Sequence, residues 1–294
     1  MVASAVPPKN VIPMNQETLV AERRRELGRF LRNRRARVRP ADVGVSYGVG
    51  RRRVAGLRRE EVAVLAGVSI KWYTMLESGN AEGVSRPTLD AIALALGLTP
   101  EEIHYLHNLA DAGIDQPSDS DVNGQMFGVF ATIEWAPAYI CTSQWTVLHW
   151  NRAMSLVWGI EPPGGSPFNI VRRMFLDEGL RSQHGDNFGD FGRRLIGMVR
   201  VGAARLVDDS VYASLLVDLR NDPVFASAWD AYDIAAPFGT SHTQITSAGI
   251  GPYGYEAVSL HVEGVTGKTI VVQVPDAPSR ARLAAALVRT TLDS

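Results

Sequence analysis

The stretch Leu57-Arg-Arg-Glu-Glu-Val-Ala63-Val-Leu-Ala-Gly67-Val-Ser69-Ile-Lys-Trp-Tyr73-Thr-Met-Leu76-Glu-Ser-Gly79 constrains the fold more than any other. Two short helices that cross near a right angle must approach closely, so a small side chain belongs at the crossing, where Ala63 stands. Gly67 supplies the left-handed backbone of the intervening turn without steric cost. Val62, Ala66, Val68, Tyr73 and Leu76 recur at spacings that fill the space between the two helices. Ser69 precedes the second helix, where its hydroxyl can cap a backbone amide. The pattern predicts a helix-turn-helix, with helices over about 57–66 and 69–77.

Once the inward positions are assigned, the outward ones become candidates for a partner. Lys71, Trp72 and Met75 fall on the exposed side of the second helix, with Ile70 beside them at its N-terminal end, where readers of the major groove sit. Lysine can donate to guanine acceptors, and apolar side chains can contact a thymine methyl. Arg51, Arg52, Arg53, Arg58, Arg59 and Ser69, together with Ser78, Gly79 and Asn80 after the helix, are candidate phosphate contacts, which position without specifying sequence. Arg86 is a candidate for the backbone or an adjacent minor groove.

Charge supports this reading. The net charge of -1 conceals an asymmetry: residues 1–110 hold 17 Lys and Arg against 11 Asp and Glu, and the remainder 13 against 20. Residues 20–60 alone carry 14 arginines against Glu22, Glu26, Asp42 and Glu60, an excess that suits a polyanion.

The flanking pattern gives the domain plan. Residues 17–39 place Val20, Leu27, Phe30, Leu31 and Val38 at helical spacings, predicting a long first helix with an arginine-rich outer face. Further helices are expected near 86–96 and 100–110, after Ser85 and Thr99-Pro100. Residues 1–16 read as a loose tail and 17–112 as an all-α DNA-binding domain. The polar, turn-rich 113–124 reads as a linker, and 125–294 as a second domain holding five of the six tryptophans. Strands are expected at Ala138–Thr142, Trp145–His149, Glu256–Val262 and Thr269–Val274. Helices are expected after Asn151, near 167–177, 187–205, 208–220 and 222–233, and at the C-terminal end. Asn151 and Asn169 read as helix caps. No apolar run approaches the ~20 residues of a membrane span, and nothing at the start reads as a secretory leader, so a cytoplasmic protein without a membrane partner is expected.

Residues 17 to about 110 resemble an XRE-type, lambda-repressor-like DNA-binding domain. The string from Leu27-Gly-Arg-Phe-Leu-Arg through Gly56-Leu-Arg-Arg-Glu-Glu-Val-Ala-Val-Leu-Ala-Gly-Val-Ser is similar to the MmyB-like regulators of bacteria. The second half resembles their ligand-binding domain at Ala136-Pro-Ala-Tyr-Ile, Trp145-Thr-Val-Leu-His-Trp-Asn-Arg-Ala153, Asn169 to Phe175 and Phe225 to Ile234. The resemblance implies a C-terminal α+β, PAS-like antiparallel sheet with flanking helices, enclosing a small apolar ligand such as a fatty acid and coupled to a homodimer on double-stranded DNA. Phe168 stands where the family pattern has arginine, Tyr232 where it has histidine, and Thr243 follows His242 where it has proline. Trp150, Phe168, Met174, Phe175 and Trp229 are candidate pocket residues.

Other signals point away from chemistry. Gly249-Ile-Gly-Pro-Tyr-Gly254 matches the dinucleotide spacing, but a strand pattern follows it and Pro252 removes an amide, so a hairpin loop is expected. His104 and His107 stand one turn apart with no third ligand to complete a metal site. Cys141 is the only cysteine and reads as a buried thiol. With no nucleophile elbow, metal-protease motif or paired acids, no catalytic residue, cofactor or metal is assigned. An enzyme carrying a helical targeting module, and a helical protein-binding module, are the alternatives.

Overall fold

The computed structural model describes residues 16–45, 56–110, 124–203, 210–232, 234, 242–262 and 267–292. The expected tail before Gln16, the linker before Gly124, Arg51, Arg52 and Arg53, and the expected helix start at Asp208-Asp209 lie outside the described residues. The chain groups into two compact units: Met1–Ala112 with Ala203–Leu216, and Gly113–Gly202 with Val217–Ser294. Sequence patterning follows chain continuity, whereas a compact unit is set by contacts, and so the grouping differs from the expected boundaries at 203–216.

The N-terminal unit holds α1 (Gln16–Arg37), a 3-10 turn at Pro40–Val43, α2 (Arg59–Leu65), α3 (Ile70–Glu77), α4 (Arg86–Ala95) and α5 (Pro100–Ala110). α1 packs on α3 and α5, α2 on α3 and α4, and α4 on α5. The core takes Leu27, Phe30 and Leu31 from α1, Val62 and Ala63 from α2, Tyr73 and Leu76 from α3, and Leu89, Ile92, Tyr105 and Leu106 from α4 and α5. Phe30 meets Tyr105 edge-on at 5.1 Å, and the Tyr105 hydroxyl donates to Glu26. Thr99 and Glu102 form a reciprocal capping box that opens α5. α1 does not keep all its arginines outside: Arg34 is buried against Glu102 at 3.0 Å, and Arg35 turns toward α3. The helical period locates an apolar stripe, but it does not reveal that a neighbouring helix offers a carboxylate beside it.

Among the described residues, the C-terminal unit forms one antiparallel sheet of six strands with flanking helices, the PAS-like α+β arrangement. Its strands are β1 (Ala138–Thr142), β2 (Thr146–Trp150), β3 (Phe168–Asn169), β4 (Thr243–Ser247), β5 (Gly251–Leu260) and β6 (Lys268–Pro275), in the order β3-β2-β1-β6-β5-β4. α6 (Gly124–Ala131) precedes β1, and α7 (Arg152–Trp158), α8 (Ile170–Leu176), α9 (Glu178–Gln183), α10 (Phe188–Ala203), α11 (Ser210–Leu219) and α12 (Pro223–Asp230) fall in the chain between β2 and β4, most of α11 grouping with the first unit. α13 (Ala277–Leu292) follows β6 and packs on α7, β5 and β6. Met126 and Phe130 of α6 cover Ala138, Ile140, Ile270 and Val272. The alternate residues Tyr139, Cys141 and Val271 are buried too, which accounts for the unbroken apolar runs in β1 and β6. The dinucleotide-like spacing falls on the β4–β5 hairpin, where Ser247 pairs with Gly251. A Cβ on Gly249 would come closer than 3.0 Å to the Leu156 carbonyl oxygen, so this glycine serves packing.

Asn151 joins these layers. Its Oδ1 accepts from the amides of Met154, in the first turn of α7, and Ala138, at the start of β1. Its Nδ2 donates to the carbonyls of Ile133 and Ala136 at 2.6 and 2.8 Å. Asn151→Ala strands four polar groups and is expected to lower the unfolding free energy by about 2–4 kcal/mol. Asn151→Asp keeps the cap but loses both donations, so in urea denaturation it should recover only part of that loss.

Candidate nucleic-acid interface and ligand-binding unit

α3 is secured at both ends. At its start the Ser69 hydroxyl accepts from the Trp72 amide at 3.1 Å, and Gly67 reaches the turn with φ of 66°. At its end the Glu77 side chain has no exposed surface; Arg35 Nε meets Oε1 at 2.5 Å and Arg59 Nε meets Oε2 at 2.7 Å. Arg32 donates to the Glu77 backbone carbonyl. Burial alone would raise the Glu77 pKa, but the hydrogen bonds and charges of Arg35 and Arg59 outweigh it and hold it below the ordinary 4.5. Burial beside this carboxylate also raises the Tyr73 phenol well above its usual range. α1 reaches α3 closely enough that a Cβ on Gly28 would come within 3.0 Å of the Glu77 carbonyl oxygen.

This anchoring leaves one face of α3 in solvent. Ile70 is 52% and Met75 40% exposed, Lys71 is exposed, and Trp72 is half-buried. Ser78 and Asn80 are exposed beyond the helix and bonded to each other, while Gly79 is half-buried. Arg58 pairs on the surface with Glu60, and its backbone amide donates to Glu61. Arg86 lies exposed in the first turn of α4. Arg59 is committed differently from the sequence expectation, since its guanidinium holds Glu77 while its side chain stays 43% exposed. Glu77 and Arg35 escaped the sequence reading. One signal was available: an acidic residue in the last turn of a helix opposes the helix dipole and calls for a cationic partner.

In the C-terminal unit the five candidate pocket residues fall into separate clusters. Trp150 is buried, meets Phe168 edge-on at 5.3 Å and donates to the Glu161 carbonyl. The half-buried Phe168 lies under the Arg173 guanidinium at 4.8 Å. Met174 and Phe175 are buried; Phe175 meets Phe188 and Phe225, and Phe225 stacks on Trp229 at 5.5 Å. Arg200 lies 3.9 Å over Trp229 and 4.3 Å over Tyr232, whose φ is 56°. None of the five lines either of two cavities beside β4. One, of about 410 Å³, lies among Trp158, Ile160, Leu180, Gln183 and Thr246, and the other, of about 250 Å³, adjoins His184 and Arg194. His107 pairs with Asp90, His104 is exposed, and Cys141 is buried with its pKa pushed up to about 12.

Glu77→Gln leaves two guanidinium groups facing a neutral amide and is expected to cost about 3 kcal/mol at neutral pH. Because the folded-state pKa of Glu77 is depressed, its contribution is present above 4.5 and lost as pH falls through the folded value. Between pH 4.5 and that folded value, unfolding free energy should therefore fall more steeply with decreasing pH in the parent than in Glu77→Gln, and below it the two should run parallel.

Residues 122–287 match the family described as MmyB-like transcription regulator ligand binding domain, and residues 26–106 match a helix-turn-helix domain. Comparison with curated proteins returns no match. The first family covers more than half of the chain, and the second coincides with the helices that hold and present α3. The chain belongs to the transcription regulators that join a helix-turn-helix DNA-binding domain to an MmyB-like ligand-binding domain.

Proposed function

We propose that this regulator acts in the bacterial cytoplasm as a homodimer, placing α3 of each protomer in successive major grooves of a palindromic site about one helical turn apart. The observation that carries this reading is the solvent-facing set Ile70, Lys71 and Met75 on a helix fixed at both ends. Lys71 donates to guanine acceptors, and Ile70 and Met75 meet thymine methyls, with Trp72 flanking them. Arg51, Arg52, Arg53, Arg58, Ser69, Ser78, Gly79, Asn80 and Arg86 meet the phosphate backbone, and Arg59 contributes with whatever capacity its bond to Glu77 leaves.

The C-terminal unit binds a small apolar molecule such as a fatty acid, the class implied by its family resemblance, with Trp150, Phe168, Met174, Phe175 and Trp229, which sit in separate clusters, as candidate contacts and not as one common pocket. A ligand with unequal affinity for two conformations shifts the population competent to bind DNA. Native mass spectrometry of protein from its own host would identify a retained molecule and count the subunits. An empty monomer would overturn both statements.

In fluorescence anisotropy with a selected duplex, log affinity should fall linearly with log salt, by about 0.9 per phosphate neutralised. Lys71→Ala should lose about 1–3 kcal/mol on the preferred site and far less on random duplex. A flat salt response, or an equal loss on every sequence, would count against base reading by α3. Arg59→Ala is a poor substitute, because it also disturbs Glu77.

A further inference from the structure

The cavity of about 250 Å³ lies where the end of α9 and the start of α10 face β4, bounded by His184, Asn187, Phe191, Arg194, His242 and Thr243. His184 is only 2% exposed. Its Nδ1 faces the Leu180 carbonyl oxygen at 3.2 Å. A carbonyl only accepts, so Nδ1 carries the hydrogen and Nε2 of the neutral ring holds a lone pair. Nε2 is buried and has no hydrogen-bond partner. The ring cannot readily turn to find one: it lies against Phe191 at 4.0 Å and between Phe188 and Trp158 at 6.0 and 5.9 Å. Burial, assisted by the Arg194 charge, lowers the His184 pKa to about 4 despite the Leu180 bond, so the ring stays neutral under ordinary conditions.

Arg194 is exposed on the same wall, and no carboxylate pairs with it among the described residues. Its neighbour Arg193 takes Asp190, the acidic group on this cavity. His242 faces Asp276 at 3.4 Å, in space that a Cβ on Gly254 would occupy. The lining of this cavity therefore includes a histidine whose buried Nε2 lacks a donor and an exposed guanidinium with no carboxylate among the described residues. Its volume falls just below the roughly 300–1,000 Å³ of drug-sized pockets, which suits a metabolite-sized molecule.

We propose that this cavity binds a small hydroxylated anion whose carboxylate or phosphate sits on Arg194 and whose hydroxyl donates to His184 Nε2. Phe188 connects His184 to the cluster around Phe175, but none of the residues proposed for an apolar ligand lines this cavity. The site deepens the reading of this unit as ligand-binding, while its chemistry stands on these residues alone.

The test is calorimetric titration of the full-length protein with gluconate for the carboxylate arm and glycerol 3-phosphate for the phosphate arm, against glycerol and acetate. Saturable binding of one or both hydroxylated anions is expected, with acetate and glycerol at least about tenfold weaker, as loss of one charge-assisted contact implies. Arg194→Ala should weaken binding by a similar factor, and His184→Phe, which keeps the ring packing, should reduce the hydroxylated anion to the level of acetate. In ¹⁵N-histidine spectra of the unaltered protein, the His184 Nε2 resonance should move on saturation, a readout that does not depend on any variant folding. Failure of both anions to bind, indifference to Arg194→Ala, an unmoved Nε2 resonance or displacement by octanoate overturns the proposal. DNA titration of the same preparation separates the two readings. Protein that binds DNA but neither anion loses this site alone, and protein that binds an anion but not DNA keeps the site and loses the groove-reading proposal.

Discussion

The N-terminal unit depends on a carboxylate that water cannot reach. Glu77 ends α3, where a negative charge opposes the helix dipole, and its side chain is fully buried, where a charge is costly. It is tolerable because Arg35 from α1 and Arg59 from α2 reach its two oxygens and Arg32 takes its carbonyl. Two helices thereby fix the last turn of the third. With Ser69 holding the other end, an α3 that enters a groove as proposed would lose little further freedom, and less of its contact energy would be spent on ordering.

The C-terminal unit is organised by burial on both faces of its central strands, and its cavities arise where that burial fails. β1 and β6 are buried over most of their length, and Trp158 donates to Gln273 at 2.7 Å across the interior. β4 lies at the edge of the sheet, and Thr243-Gln-Ile-Thr-Ser offers Ile245 as its only large apolar side chain. α9 packs on this strand with little to interdigitate. Space remains on either side of Gln183 and His184, and Gln183 Oε1, like His184 Nε2, is buried without a partner. Both cavities thus border the strand that supplies least apolar bulk.

Legibility followed the range of the interactions. The turn at Gly67, the caps at Ser69, Asn151 and Asn169, and the central strands were readable because each depends on residues within a few positions of one another. β4, α6 and α9 were not. β4 carries one strong apolar residue, α6 contains Gly128, and α9 follows directly on Asp177, the C-cap of α8, which also caps α9 by accepting from the Gly179 and Leu180 amides. On the interface, the exposed face of α3 followed from the helical period. The Arg35–Glu77–Arg59 arrangement did not, since its members are separated by 42 and 18 positions. His184 carried no mark at all, because an imidazole between aromatic rings reads from sequence as ordinary core.

The arginine excess of residues 20–60 is the feature most easily misread. Arg34, Arg35 and Arg59 are occupied by Glu102 and Glu77, while Arg24, Arg25, Arg29, Arg39 and Arg58 face carboxylates on the surface. A paired arginine adds almost nothing to the field felt by a distant polyanion, because its partner cancels it beyond a Debye length of about 8 Å. What steers DNA is the net imbalance of 17 against 11 over residues 1–110, half of which Arg51, Arg52 and Arg53 would account for alone. Lys71 is the only lysine or arginine that α3 itself carries. On the proposed reading, general attraction and base contact reside in different residues, so a change at Lys71 would alter which sequence is chosen while leaving most of the electrostatic attraction in place.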